Sequence, residues 1–213
     1  MFWTLAALSS IAVGVLVWGE WKTSAVRFVA KPIASLGFLA AALERGAFDS
    51  TYGKTLLLGL VLAALGDVFL LGSSRPTFLA GLVSFLLGHL VYGVAFVGLG
   101  IDPIWSSAAA VATGVIAVIV VRWLVPFLAA DMRGPVFAYI LVISLMVVAA
   151  AGSTADGATA WILIGAIGFF LSDLAVARNQ FVVESITNRA CLLYTSPSPR
   201  DARKYLVCRL LLE

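Results

Sequence analysis

Long apolar runs alternate with short polar joints along almost the whole chain, and the length of the runs carries the first information. A helix needs about 20 mostly apolar residues, in a range of about 17 to 25, to cross the hydrocarbon core of a bilayer. Seven runs meet that measure, at 2–19, 27–43, 55–72, 77–98, 104–125, 136–152 and 157–177. The joints between them are short and hold most of the remaining Gly, Pro and charged residues. The pattern predicts an all-α, polytopic membrane helix bundle with almost nothing outside the membrane.

The two ends of the chain need separate readings. MFWTLAALSSIAVGVLVWGEWK has no basic leading region and no small-residue cleavage pattern before Glu20, so it reads as a first membrane helix and not as a cleaved signal peptide. From Cys191 onward the text CLLYTSPSPRDARKYLVCRLLLE breaks the pattern, with Pro197 and Pro199 interrupting what should be another helix. CLLYTSPSPRD resembles a sequencing-library adapter translated in frame. The expectation is one integral membrane domain over 1–190 and a non-native tail over 191–213, with seven spanning helices here and eight in the intact protein.

Cytoplasmic loops are enriched in Lys and Arg, and this sets the expected orientation. The first, third, fifth and seventh joints carry Lys22, Arg27, Arg75, Arg122, Arg133, Arg178 and Arg189, whereas the second, fourth and sixth carry Arg45 and Lys54. Seven against two puts the odd-numbered joints in the cytoplasm. The predicted location is the bacterial inner membrane, which is crossed by helices and not by alternating strands.

Composition removes several classes of function. The chain is 62% hydrophobic and 12% charged with a mean hydropathy of +1.07, far from a soluble domain, in which about a quarter of residues are charged. A formal charge of +3 without a basic run excludes a nucleic-acid partner. Both cysteines, Cys191 and Cys208, fall in the tail, so the body of the protein has no thiol chemistry. No Gly-rich phosphate loop, serine-hydrolase elbow or H-E-x-x-H motif occurs.

Against this apolar background a few polar residues stand out. An ionisable side chain at the centre of a membrane span costs roughly 2.5 to 3.5 kcal/mol on insertion scales, so those retained face protein or water. Asp67 and His89, the chain's one histidine, interrupt the runs at 55–72 and 77–98, and Asp173 interrupts the run at 157–177. Lys31, Asp67 and Asp173 lie toward the odd-numbered joints, with His89 and Tyr92 deeper. Helical spacing groups Gly59, Ala63 and Asp67 on one face, then Gly81, Phe85, Gly88, His89 and Tyr92, then Gly165, Phe169, Ser172 and Asp173. Small residues beside each ionisable group predict that all three faces pack against protein. AALGDVFL and FFLSDLAV echo each other 106 residues apart, as in a parallel duplication of a four-helix unit.

The residues alone leave their roles open. Two carboxylates in a low-dielectric site cannot both ionise cheaply, so Asp67 and Asp173 could divide the work of proton donor and acceptor. A structural ion pair between Lys31 and one of them is the competing reading. Lys31 stands beside Pro32, which frees the carbonyl of Phe28, and it could hold an anionic head group or snorkel to the interface. His89 with Tyr92 could shuttle protons, bind a head group or satisfy each other across helices. One histidine without further nitrogen or sulfur ligands does not make a zinc site, and no metal or organic cofactor is expected.

KPIASLGFLAAAL, LGLVLAALGDVFLL followed by FLAGLVSFLLGHLVYGVAF, and GAIGFFLSDLAVAR resemble the signatures of the YhhN family, which includes the TMEM86 lysoplasmalogenases. The resemblance covers about residues 27 to 190 and departs after Arg189, where members continue into a last helix. It implies an eight-helix membrane hydrolase that cleaves the vinyl ether bond of lysoplasmalogens to a fatty aldehyde and a glycerophospho-alcohol. The matching positions are Lys31, Asp67, His89, Tyr92 and Asp173. Asp67 and Asp173 are the expected catalytic pair, with Lys31, His89 and Tyr92 on the lysophospholipid substrate. The alternative from another class is a lipid-binding or proton-coupled transport protein that uses the same residues and cleaves nothing.

Overall fold

The structure, a computed structural model, describes residues 25–72 and 74–183, with side chains from Ser35 onward except Asn179 and Val183. Within these bounds the chain is helical throughout. Its elements are α1 (Ala25–Glu44), α2 (Thr51–Phe69), α3 (Arg75–Val97), α4 (Pro103–Leu124) with a 3-10 turn at Val125–Phe127, α5 (Ala130–Ala155) and α6 (Ala160–Ala177), which runs on into a π turn at Arg178–Val183. The run at 2–19 and the tail lie outside the described residues, as does the Lys31 side chain.

Among the described residues, five helices, α2 to α6, are long and apolar enough to cross a bilayer; they correspond to the last five of the seven predicted runs. The span ends differ from the apolar runs because caps set them. Ser50, Ser74 and Asp102 each accept a hydrogen bond from the backbone N–H three residues on, at Gly53, Thr77 and Trp105, satisfying donors that a helix start leaves open. α2 therefore starts at Thr51, four residues before the apolar run at 55–72. α5 starts at Ala130 and carries Pro135 inside its second turn, where the missing N–H leaves the Asp131 carbonyl without its intrahelical donor.

α5 is the axis of the bundle. It packs on α3, α4 and α6, while α2 packs on α1 and α3. Ile143, Met146, Val147 and Ala150 of α5 meet Tyr92, Ala95 and Phe96 of α3 in the main core. Close approach of α2 and α3 depends on glycine: the Tyr92 ring lies where a side chain at Gly59 would project, the Phe85 ring does the same at Gly66, and Gly88 faces the Gly59 carbonyl. Small residues allow this contact in lipid, where no hydrophobic force presses helices together.

The ends of the helices sort into two faces. Asp102 N–H donates to the Gly152 carbonyl at 3.1 Å, tying the α3–α4 joint to the end of α5. On the opposite face Arg75, at the start of α3, pairs with Asp131, at the start of α5. Trp105 and Trp161 stand exposed in the first turns of α4 and α6, and Trp123 near the end of α4, in the manner of interfacial aromatic anchors. Trp105 and Trp123 are 18 residues apart, about 27 Å along a helix and close to the thickness of a hydrocarbon core. Long apolar helices with exposed Ile104, Val111, Ile164 and Leu171 make this an integral membrane protein.

Candidate active site

All six helices contribute to a cavity of about 480 Å³, within the range of ligand sites. Its wall is hydrocarbon except for five polar side chains: Ser35 of α1, Asp67 of α2, Tyr139 of α5, and Ser172 and Asp173 of α6. The two acids predicted from the sequence therefore share one chamber. Each sits near the C-terminal end of its helix, and those ends lie on the face carrying Arg75, Arg122, Arg133 and Arg178.

Both carboxyl groups are met by hydroxyls. Ser35 donates to Asp67 Oδ2 at 3.0 Å, and Tyr139 donates to Asp173 Oδ2 at 2.6 Å. A bond of 2.6 Å between a hydroxyl and a carboxyl oxygen is in the range of charge-assisted hydrogen bonds. Neither Ser35 nor Tyr139 stood out in the sequence. Ser35 could have been found from its place one turn after Lys31. Tyr139 left only the signal of a hydroxyl within an apolar run, at the end of α5 that shares a face with Asp173.

His89 does not line this cavity. It lies behind Asp173, only 2% exposed, with Nε2 3.1 Å from Asp173 Oδ2 but outside the angular range of a formed hydrogen bond. Its Nδ1 is in hydrogen-bond contact with the Phe85 carbonyl one turn back. The rings of Tyr92, Tyr139 and Phe169 surround the imidazole at centroid distances of 5.5 to 6.4 Å. Tyr92 also stands off the cavity wall, packed against Gly59, Phe96 and Phe169, with its hydroxyl buried and unpartnered among the described residues. A second, apolar cavity of about 460 Å³ lies on the other side of His89, lined by Gly93, Val97, Ile101, Ser106 and Met146 among others.

The expected face of α6 divides. Phe169 and Asp173 turn toward α3 and α5, but Gly165 has nothing near it and Ser172 is exposed. The reason is that α6 packs mainly on α5, around the buried Ala166, and meets α3 through Phe169 and Asp173, which leaves Gly165 and Ser172 on its other flank. Among the described residues no cluster of three or more His, Cys, Asp or Glu side chains could hold a metal.

A membrane helix bundle with two acids, a histidine and a tyrosine gathered at an internal apolar cavity defines the class of this protein. The YhhN family profile matches residues 26–196, and the chain belongs to that family. It is similar to two proteins named lysoplasmalogenase TMEM86A: 28% identical to that of Bos taurus over 151 residues and 31% identical to that of Homo sapiens over 146. Each match takes in 66% of this chain and spans 59% of the relative's length. No solved structure gives a significant match.

Proposed function

We propose that the protein is a membrane hydrolase that cleaves the vinyl ether bond of lysoplasmalogens, releasing a fatty aldehyde and a glycerophospho-alcohol. The observation that carries this reading is the placement of Asp67 and Asp173 on the wall of one largely apolar cavity, in a chain of the YhhN family. Vinyl ether hydrolysis starts with protonation of the alkenyl carbon and passes through an oxocarbenium ion that water captures. It needs a carboxylic acid to donate the proton and a carboxylate to face the cation and activate water, and the cavity holds two carboxyl groups for these parts. The hydrocarbon wall suits the alkenyl chain.

Lys31 binds the lipid phosphate or tunes one acid, and His89 and Tyr92 serve from behind the wall, in proton relay and in packing. The cationic ends of α3, α4, α5 and α6 support a cavity placed toward the cytoplasmic side of the bacterial inner membrane. The test is aldehyde release from lysoplasmenylethanolamine by the purified protein, followed by mass spectrometry. Aldehyde and glycerophosphoethanolamine in equal amounts are expected; lipid binding without product would replace this reading with that of a lipid-binding or transport protein.

A further inference from the structure

His89 has one hydrogen-bond contact whose direction is not negotiable. A backbone carbonyl can only accept, so the contact between Nδ1 and the Phe85 carbonyl requires a proton on Nδ1. The tautomer being fixed at that end, Nε2 of a neutral ring would present a bare lone pair to Asp173 Oδ2 at 3.1 Å. Two lone pairs at that separation in a buried site repel each other. A proton on either the imidazole or the carboxyl group would turn that repulsion into an attraction.

From this we infer that His89 and Asp173 hold one proton in common and act together as the proton donor of the site, with Tyr139 as the positioning residue that fixes the Asp173 carboxyl group. The inference rests on the hydrolase reading above and adds the roles that reading leaves open. Asp173 lines the cavity that holds both acids, whereas His89 stands behind it on the wall of the second, apolar cavity, so the imidazole reaches a substrate in the first cavity only through the carboxyl group. The imperfect angle at Nε2 suits a contact that tightens when substrate fills the chamber. Tyr139 Oη, which donates to the same Oδ2, keeps the carboxyl group from rotating away from the imidazole. Asp67, with Ser35 donating to it, takes the part of the carboxylate.

The proton balance closes. The proton held with His89 passes from Asp173 to the outer alkenyl carbon, where the C=C electron pair forms the new C–H bond. A lone pair of the ether oxygen then forms the second bond to the inner carbon, giving the oxocarbenium ion. Water adds to that carbon as Asp67 takes one of its protons. The hemiacetal collapses when its carbon–oxygen bond to glycerol breaks, the glycerol oxygen leaving with the proton from Asp67. The hemiacetal hydroxyl returns its proton to the His89–Asp173 pair, so one water is consumed and the site is restored.

His89 is the one histidine in the chain, so protein labelled with ¹⁵N-histidine gives a single pair of ring-nitrogen signals. A protonated Nδ1 is expected in the wild type, together with an Nε2 signal that moves to the unprotonated range in Asp173→Asn. Tyr139→Phe should displace the Nε2 signal and lower kcat for aldehyde release about tenfold, with KM within about twofold, because the loss is one hydrogen bond to a charged group and not substrate binding. An unprotonated Nδ1, or an Nε2 signal that both variants leave in place, overturns the inference. Wild-type signals of a shared proton with no aldehyde formed would instead remove the hydrolase reading, and the donor role with it, while the shared proton stands.

Discussion

Asp67 on α2 and Asp173 on α6, 106 residues apart in the chain, line the same cavity. α2 packs on α1 and α3, and α6 packs on α5, so the two acids come together only because α3 and α5 are packed side by side between them. The meeting of these groups is a product of the whole bundle and not of any one helix pair.

Replacing either acid with its amide removes a proton donor or acceptor and keeps the volume. Asp67→Asn and Asp173→Asn should each lower aldehyde release by about 10²- to 10⁴-fold, the usual contribution of a positioned acid or base. Turnover assays on protein whose thermal unfolding matches the wild type check this, and near-normal activity in both variants would take the carboxyl groups out of the chemistry.

Ser35→Ala deletes the hydroxyl that donates to Asp67 Oδ2 at 3.0 Å. A hydrogen bond to a charged group contributes about 1.5 to 3 kcal/mol, so kcat/KM should fall by a factor of roughly ten or more. Ser35→Thr keeps the hydroxyl and should recover most of the activity; equal losses in the two variants would point to packing and not to the hydrogen bond.

Gly66→Ala places a methyl group 2.6 Å from the Phe85 ring, and because Phe85 also lines the cavity, the displaced ring narrows the substrate space. A cost of about 1 to 3 kcal/mol in stability and a fall in activity are expected. Gly165→Ala, which meets open space among the described residues, should leave activity unchanged and stability equal or slightly higher, because alanine favours a helix over glycine. Thermal unfolding in detergent distinguishes the pair, and equal melting temperatures would contradict the close packing of α2 on α3.

Asp102→Ala removes the acceptor for Trp105 N–H at the start of α4, at a cost of about 1 kcal/mol. Asp102→Asn, which retains a side-chain oxygen, should recover the difference. The readout is again thermal unfolding, with aldehyde turnover at low temperature expected to stay near that of the wild type because the cap is remote from the cavity.

Much of the scaffold was legible from one number, the length of each apolar run, because the bilayer imposes that length directly. The ends were not, since Ser50 and Ser74 fix them through single hydrogen bonds that hydropathy does not register, and α5 begins six residues before its apolar run. Asp67, His89 and Asp173 were legible because an ionisable group in a membrane span is costly. Tyr139 and Ser35 were not, because hydroxyls are cheap to place in a helix and carry no such signal. Gly165 and Ser172 were expected against protein from spacing alone, but spacing gives a face and not its neighbour.

Five polar groups set in a hydrocarbon wall also sort what leaves the chamber. A long-chain aldehyde formed there would be at home among the Phe, Leu and Ile side chains and in the surrounding acyl chains, and would depart sideways into the leaflet. A glycerophospho-alcohol has no such affinity and would escape to water. Hydrolysis in this chamber would thus send its two fragments to different phases, making recombination of the pair improbable without any valve or gate.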